Sequence, residues 1–183
     1  VKKSLIAHDR VNRLPNLATC VFITAFLAAS HATAAEEIDN GGFEDPKCQT
    51  PGQICPGWGF KNNAAVNDDG HAGSKHGVTV GGQGGGTGVL TQKLTLRKGY
   101  YVFSFWYKAT GTVSGSTPAI VRFTGSTVRT VFTVMIQPVP QWIKYEQFLI
   151  VDQDGDTTIE FSSENPPHFA GPYFNIDDVS LVH

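Results

Sequence analysis

The chain has 183 residues, 40% of them apolar and 16% charged, with a net charge of −2. That apolar share is enough for a core and excludes intrinsic disorder. The absence of any Lys/Arg run excludes a nucleic-acid binder, which presents a basic face, and the length suits one domain behind a leader.

Lys2, Lys3, Arg10 and Arg13 precede an apolar segment from Leu17 to Ala29, and Ser30-His31-Ala32-Thr33-Ala34-Ala35 follows. Basic, apolar and small-x-small segments in that order predict a secretory signal peptide over residues 1–34, cleaved after Ala34. Leu17-Ala18-Thr19-Cys20 precedes the apolar segment instead of closing it, so no lipid anchor is expected. Four of the 14 basic residues and one of the 16 acidic ones leave with the leader; 10 and 15 remain, a net charge of −5 over residues 35–183. The expected product is secreted, alternatively periplasmic, unattached to the membrane, unsuited to DNA, and monomeric.

Cys48 and Cys55 enclose Gln49-Thr50-Pro51-Gly52-Gln53-Ile54. Pro-Gly favours a tight turn, and in an exported chain this spacing predicts a disulfide. Closing so short a loop is worth about 2.5 kcal/mol in the chain-entropy account.

Beyond the leader, no window shows a sustained 3.6-residue apolar period, and alternation recurs instead. Leu90, Gln92, Leu94 and Leu96 form one row, and Tyr101, Phe103, Phe105 and Tyr107 a second. Ala119, Val121 and Phe123, then Thr157, Ile159 and Phe161, form two more. Between Trp142 and Val151 the parity slips, which predicts a bulge near Glu146-Gln147. Turns at Arg97-Lys98-Gly99, residues 111–116, Gly125-Ser126 and residues 152–156 separate the runs. Nine or ten such strands predict an all-β, two-sheet antiparallel sandwich over residues 35–183.

The run Gly81-Gly82-Gln83-Gly84-Gly85-Gly86-Thr87-Gly88 lacks the Lys-Ser/Thr ending of a phosphate-binding loop. Asp152-Gln153-Asp154-Gly155-Asp156 lacks the distal Glu of a calcium-binding helix-loop-helix and reads as a hairpin turn. No Gly-x-Ser-x-Gly or His-Glu-x-x-His motif occurs, and His71, His76, His168 and His183 are scattered, so no enzyme is expected.

Asp39-Asn40-Gly41-Gly42-Phe43-Glu44 opens the sequence after the leader, followed by Pro56-Gly57-Trp58 and His71-Ala72-Gly73-Ser74-Lys75-His76-Gly77. Gly99-Tyr100-Tyr101-Val102-Phe103-Ser104-Phe105-Trp106 and Trp142-Ile143-Lys144-Tyr145 come next, and Phe174-Asn175-Ile176-Asp177-Asp178-Val179-Ser180-Leu181 ends the chain. In order and spacing these segments resemble the galactose-binding-like jelly rolls, in particular bacterial carbohydrate-binding modules of the family 4/9/22 type. They also resemble related cell-wall domains with the same opening and ending. The resemblance implies a jelly roll, a polysaccharide or glycan partner, and a structural calcium ion. Its ligands would be Glu44 and Asp177, with carbonyls from Ser74 or Lys75, stapling the two chain ends together.

Sugar rings stack their C–H faces on aromatic side chains and hydrogen-bond planar polar groups. Trp106 and Arg122 lie out of phase with the buried rows of their strands, so both are expected to point outward and form part of one concave surface. A strand covered on both faces would instead bury Trp106. His168 and Tyr173, flanking a Pro-rich loop, are expected on the rim, and Trp58 and Trp142 in structural positions. The competing reading is a structural or adhesive envelope protein that uses the same fold for protein contacts.

Overall fold

Alternating strands have one apolar face each, and burying that face requires a second sheet. The computed structural model describes residues 34–82, 87–110, 117–125, 128–137, 139–163 and 173–183. The described residues hold no helix and ten strands. These are β1 (Gly59–Asn62), β2 (Ala64–Asn67), β3 (Gly77–Val80), β4 (Gly88–Leu96) and β5 (Gly99–Thr110), then β6 (Thr117–Gly125), β7 (Arg129–Ile136), β8 (Ile143–Val151), β9 (Gly155–Ser163) and β10 (Tyr173–Val182). They build a first sheet in the order β1-β4-β9-β6-β7 and a second in the order β2-β3-β10-β5-β8, antiparallel throughout. This is the two-sheet antiparallel sandwich that the alternation predicts, and the jelly roll that the resemblance implies.

The predicted rows meet between the sheets. Phe103 and Phe105 of β5 face Phe123 of β6 and Phe161 of β9, all fully buried. The pairs Phe103–Phe123 (5.1 Å) and Phe105–Phe161 (5.2 Å) cross nearly edge to face, the arrangement their ring quadrupoles favour. Gln92 is the polar member of its row and is buried too. Its amide accepts from Asp39 N (2.9 Å) and donates to Asp39 O (2.8 Å), which ties the entering chain to β4 and leaves neither amide atom unpaired.

The bulge lies elsewhere than predicted. The β5–β8 register runs without a break from Gly99↔Val151 to Tyr107↔Ile143. Leu149 and Val151 continue the inward phase of Ile143 and Tyr145, while Phe148 and Ile150 point to solvent. Four consecutive apolar residues, Phe148 to Val151, allow either phase to be read, and only the pairing decides. The real shift is in β10, between Asp177 and Ser180. Asp178 takes φ 48° there, a left-handed conformation that Asp tolerates. The extra residue reverses parity, so Ile176 faces the core before it and Val179 and Leu181 after it.

At the opposite chain end Asn40 also has a positive φ, 51°. A Cβ on Gly41 would stand 1.9 Å from the Val179 carbonyl oxygen, so only glycine fits against the bulge. The Cys48–Cys55 disulfide forms as expected. Asn40 Nδ2 donates to Cys55 Sγ and to Pro56 O, and Trp58 Nε1 donates to Asn40 O, so the closed loop and the opening turn brace each other. Trp58 is buried against Phe43, a structural position as expected.

Candidate functional site

Two candidate sites arise from these elements, one at the joined chain ends and one on an open sheet face. At the chain ends the opening turn delivers Glu44 to the loop between β2 and β3. Glu44 Oε1 accepts from the Ser74 hydroxyl (2.6 Å), Lys75 N (2.6 Å) and His76 N (2.8 Å). Partial burial works to raise the Glu44 pKa, but these donors outweigh it and hold it below the ordinary value. Asp177 is fully buried at the bulge. Its carboxylate accepts from His71 N (2.7 Å) and Asp178 N (2.7 Å), yet burial still pushes its pKa up to about 6.

The surrounding atoms are mostly acceptors. The Ser74 hydroxyl has one proton, and it stands near Glu44 Oε1, His76 O (3.0 Å), Gly42 O (3.4 Å) and the Asp177 carboxyl. The Ser74 and His76 carbonyls converge on Gly70, where a Cβ would lie 2.5 and 2.7 Å from their oxygens. Among the described residues no three His, Cys, Asp or Glu side chains gather as a metal set. A cation here would therefore draw on two carboxylates and several carbonyls, a hard-oxygen set that suits calcium and not zinc.

Trp106 projects from the outer face of the second sheet, between Asp177 of β10 and Lys144 of β8. The His71 ring is stacked on its indole at 3.9 Å and 18°. Trp142 meets His71 edge-on at 5.7 Å, and the Lys108 ammonium sits 4.8 Å over the Trp142 ring. Lys108 pairs with Asp69, Asp69 accepts from Asn175 Nδ2, and Asn175 Oδ1 accepts from Asn67 and Thr79. The His71 and Lys108 side chains are 16% and 15% exposed. The β2–β3 loop thus roofs Trp106, and His71, held on the indole, aims its backbone N–H at Asp177.

Arg122 points outward as expected, but from the other sheet. The single surface expected for Trp106 and Arg122 does not form: they occupy the outer faces of opposite layers. Arg122 Nη1 donates to Glu160 Oε1 (3.0 Å) and Ser162 Oγ (2.8 Å), with the Arg122 and Glu160 side chains about one-third exposed. Strand register aligns Val131, Arg122, Glu160, Thr91 and Gly59 in one row across all five strands of the first sheet. At the strand spacing this row is roughly 19 Å long. The next row toward the β4–β5 turn holds Thr124, Thr158 and Lys93, and there a cavity of about 450 Å³ opens, lined also by Thr95 and Asp156. Among the described residues of this face no aromatic ring points outward.

No family model matches the chain, and no curated protein matches it. Solved structures do. A CBM61 module in complex with beta-1,4-galactotriose superposes with a TM-score of 0.61 at 20% identity, covering 80% of this chain and 97% of that one. The CBM22-1 xylan-binding domain of Paenibacillus barcinonensis Xyn10C superposes at 0.52 and 14%, covering 82% and 94%. The fold is that of the carbohydrate-binding-module jelly rolls. The enzymatically active domain of a bacteriophage CBA120 tailspike protein 4 is also similar, at 0.54 and 16%, through 21% of its length. Among the described residues no helix is long and apolar enough to cross a membrane.

Within this jelly roll the remaining expected residues are spread out. His168 lies outside the described residues. Tyr173 opens β10 opposite Thr110 on the second sheet. Trp142 packs beside Lys108, in a structural position. Glu160, Ser162 and Lys93 escaped the sequence reading. The phase argument that selects Arg122 in β6 also selects Thr158, Glu160 and Ser162 in β9. What alternation does not reveal is that β6 and β9 are neighbours.

Proposed function

We propose that this protein is a secreted, non-catalytic glycan-binding module whose binding surface is the outer face of the first sheet, centred on Arg122 and Glu160, with the buried Ser162 hydroxyl holding the guanidinium in place. The observation that carries the reading is the pre-aligned row across five strands on a fold shared with modules described as galactotriose- and xylan-binding. Vicinal sugar hydroxyls accept from a planar guanidinium and donate to a carboxylate, and Arg122 and Glu160 offer both at fixed spacing. Thr91, Thr124 and Thr158 add hydroxyls of either polarity, and a row roughly 19 Å long suits an extended oligosaccharide. In this reading Trp106 is a pillar under the β2–β3 loop and not a stacking platform.

Calcium belongs to the same proposal. Glu44, Asp177 and the Gly42, Ser74 and His76 carbonyls would hold it, and its charge would offset the buried Asp177 carboxylate. Its role is structural, because the site lies at the second sheet and the joined chain ends, away from Arg122.

The test is a glycan array followed by affinity electrophoresis on the polysaccharides it identifies. Arg122→Ala is expected to weaken retention at least tenfold in a variant that still folds, its stability lowered by no more than about 1–3 kcal/mol for the lost Glu160 and Ser162 contacts. Unchanged retention would place the site elsewhere.

A further inference from the structure

The outer faces of antiparallel sandwich sheets are normally polar. At one end of the second sheet this rule is broken. Tyr100 and Ile150 stand directly opposite each other on β5 and β8, as do Val102 and Phe148. They are 77%, 58%, 36% and 75% exposed, respectively. Val182 of β10 extends the second pair, being in register with Val102. β8 is the outermost strand of its sheet. Toward the middle of the strand the patch is bounded by Lys144 and Glu146, which neutralise each other across 2.6 Å.

We propose that this patch is the interface of a homodimer, in which two copies pack their β5–β8 faces together around a two-fold axis. Weighted by exposure, the four side chains offer roughly 500 Å² per copy, given the 150–250 Å² that an aromatic side chain buries. That is the upper range of the largest apolar patch on an ordinary monomer. Two copies would remove about 1,000 Å² from water, the threshold for a specific and reversible interface. The chemistry favours a second copy over a foreign partner. A selective partner is recognised by charge or by unpaired polar groups. The four facing side chains carry no charge, and the Tyr100 hydroxyl is their only polar atom; the charged groups, Glu36 beside Val182 and the Lys144–Glu146 pair, stand at the edges. The patch is therefore complementary to itself, as an isologous contact requires. The dimer departs from the monomer expected from sequence. It leaves the Arg122 face open on both copies, so it stands or falls independently of glycan binding there.

The experiment is sedimentation of the mature, disulfide-bonded protein over a hundredfold concentration range ending in the high micromolar region. The expected result is a monomer–dimer equilibrium in the wild type. Phe148→Lys should weaken association at least tenfold, with an unchanged melting temperature at concentrations low enough for both proteins to be monomers. Met135→Lys, on the opposite sheet, should associate like the wild type. Should Phe148→Lys fail to fold, Tyr100→Lys carries the same expectation. A wild type that stays monomeric throughout overturns the proposal, as does a Phe148→Lys or Tyr100→Lys variant that dimerises normally. Loss of polysaccharide retention in a Phe148→Lys monomer, with the wild type also monomeric, would assign the patch to glycan instead and overturn it equally.

Discussion

Asp177 offers the sharpest test of how the two chain ends are held. Its carboxyl is fully buried, and its pKa is raised from 3.8 to about 6, chiefly by loss of hydration. The folded state therefore holds the Asp177 proton more tightly than the unfolded chain does. The associated stability is fully present below pH 3.8 and is lost as pH rises through about 6. A shift of about two units corresponds to about 3 kcal/mol, lost between pH 4 and 7 when no cation is present. Calcium at a hundred times its dissociation constant would add about 2.7 kcal/mol, nearly cancelling that loss. The assay is urea unfolding between pH 4 and 7.5, in EDTA and in calcium, of the wild type and Asp177→Asn. Subtracting the variant removes the contribution of other carboxylates. In EDTA the wild type should lose about 3 kcal/mol relative to Asp177→Asn as pH rises; the backbone hydrogen bond that Asn forfeits, worth about 1 kcal/mol, lowers the variant equally at every pH and leaves that difference in slope unchanged. Calcium should restore the wild type and leave the variant unmoved. Parallel profiles in EDTA would refute the burial argument, and a wild type indifferent to calcium would refute the staple.

Trp106→Ala should remove the support of the His71 ring, lower stability by about 2–4 kcal/mol in thermal unfolding, and weaken calcium binding. If it instead abolishes glycan retention with the melting curve intact, Trp106 is a platform after all. Gly41→Ala places a methyl group on the Val179 carbonyl oxygen, so it should prevent folding or cost more than about 4 kcal/mol, read by circular dichroism and proteolysis. Reducing Cys48–Cys55, or replacing both cysteines by Ser, should cost about 2.5 kcal/mol in urea unfolding. An unchanged midpoint would mean that the loop is already closed by Asn40 and its neighbours.

Alternation within each segment determined the strands, because a strand with one buried face must repeat with period two wherever it sits. The Phe103–Phe105 and Val121–Phe123 rows were legible for that reason. So was the cysteine pair, whose eight-residue span makes closure a local matter. The resemblance at the two chain ends pointed to Glu44 and Asp177 together, but not to Ser74 as the hydroxyl between them. Tertiary structure decided what alternation leaves out, namely the layer to which each strand belongs. Trp106 and Arg122 are both outward from their own strands, yet β5 pairs with β10 and β8 while β6 pairs with β7 and β9, so outward means opposite directions. It also decided what covers an outward residue: His71 roofs Trp106 from 35 residues earlier in the chain, whereas nothing described covers Tyr100 or Phe148. The bulge at Asp178 was hidden because a parity reversal can be read only against a partner strand, and the partner of β10 lies some 70 residues away. Pairing between distant segments minimises exposed apolar area over the whole chain, and no local window contains that sum.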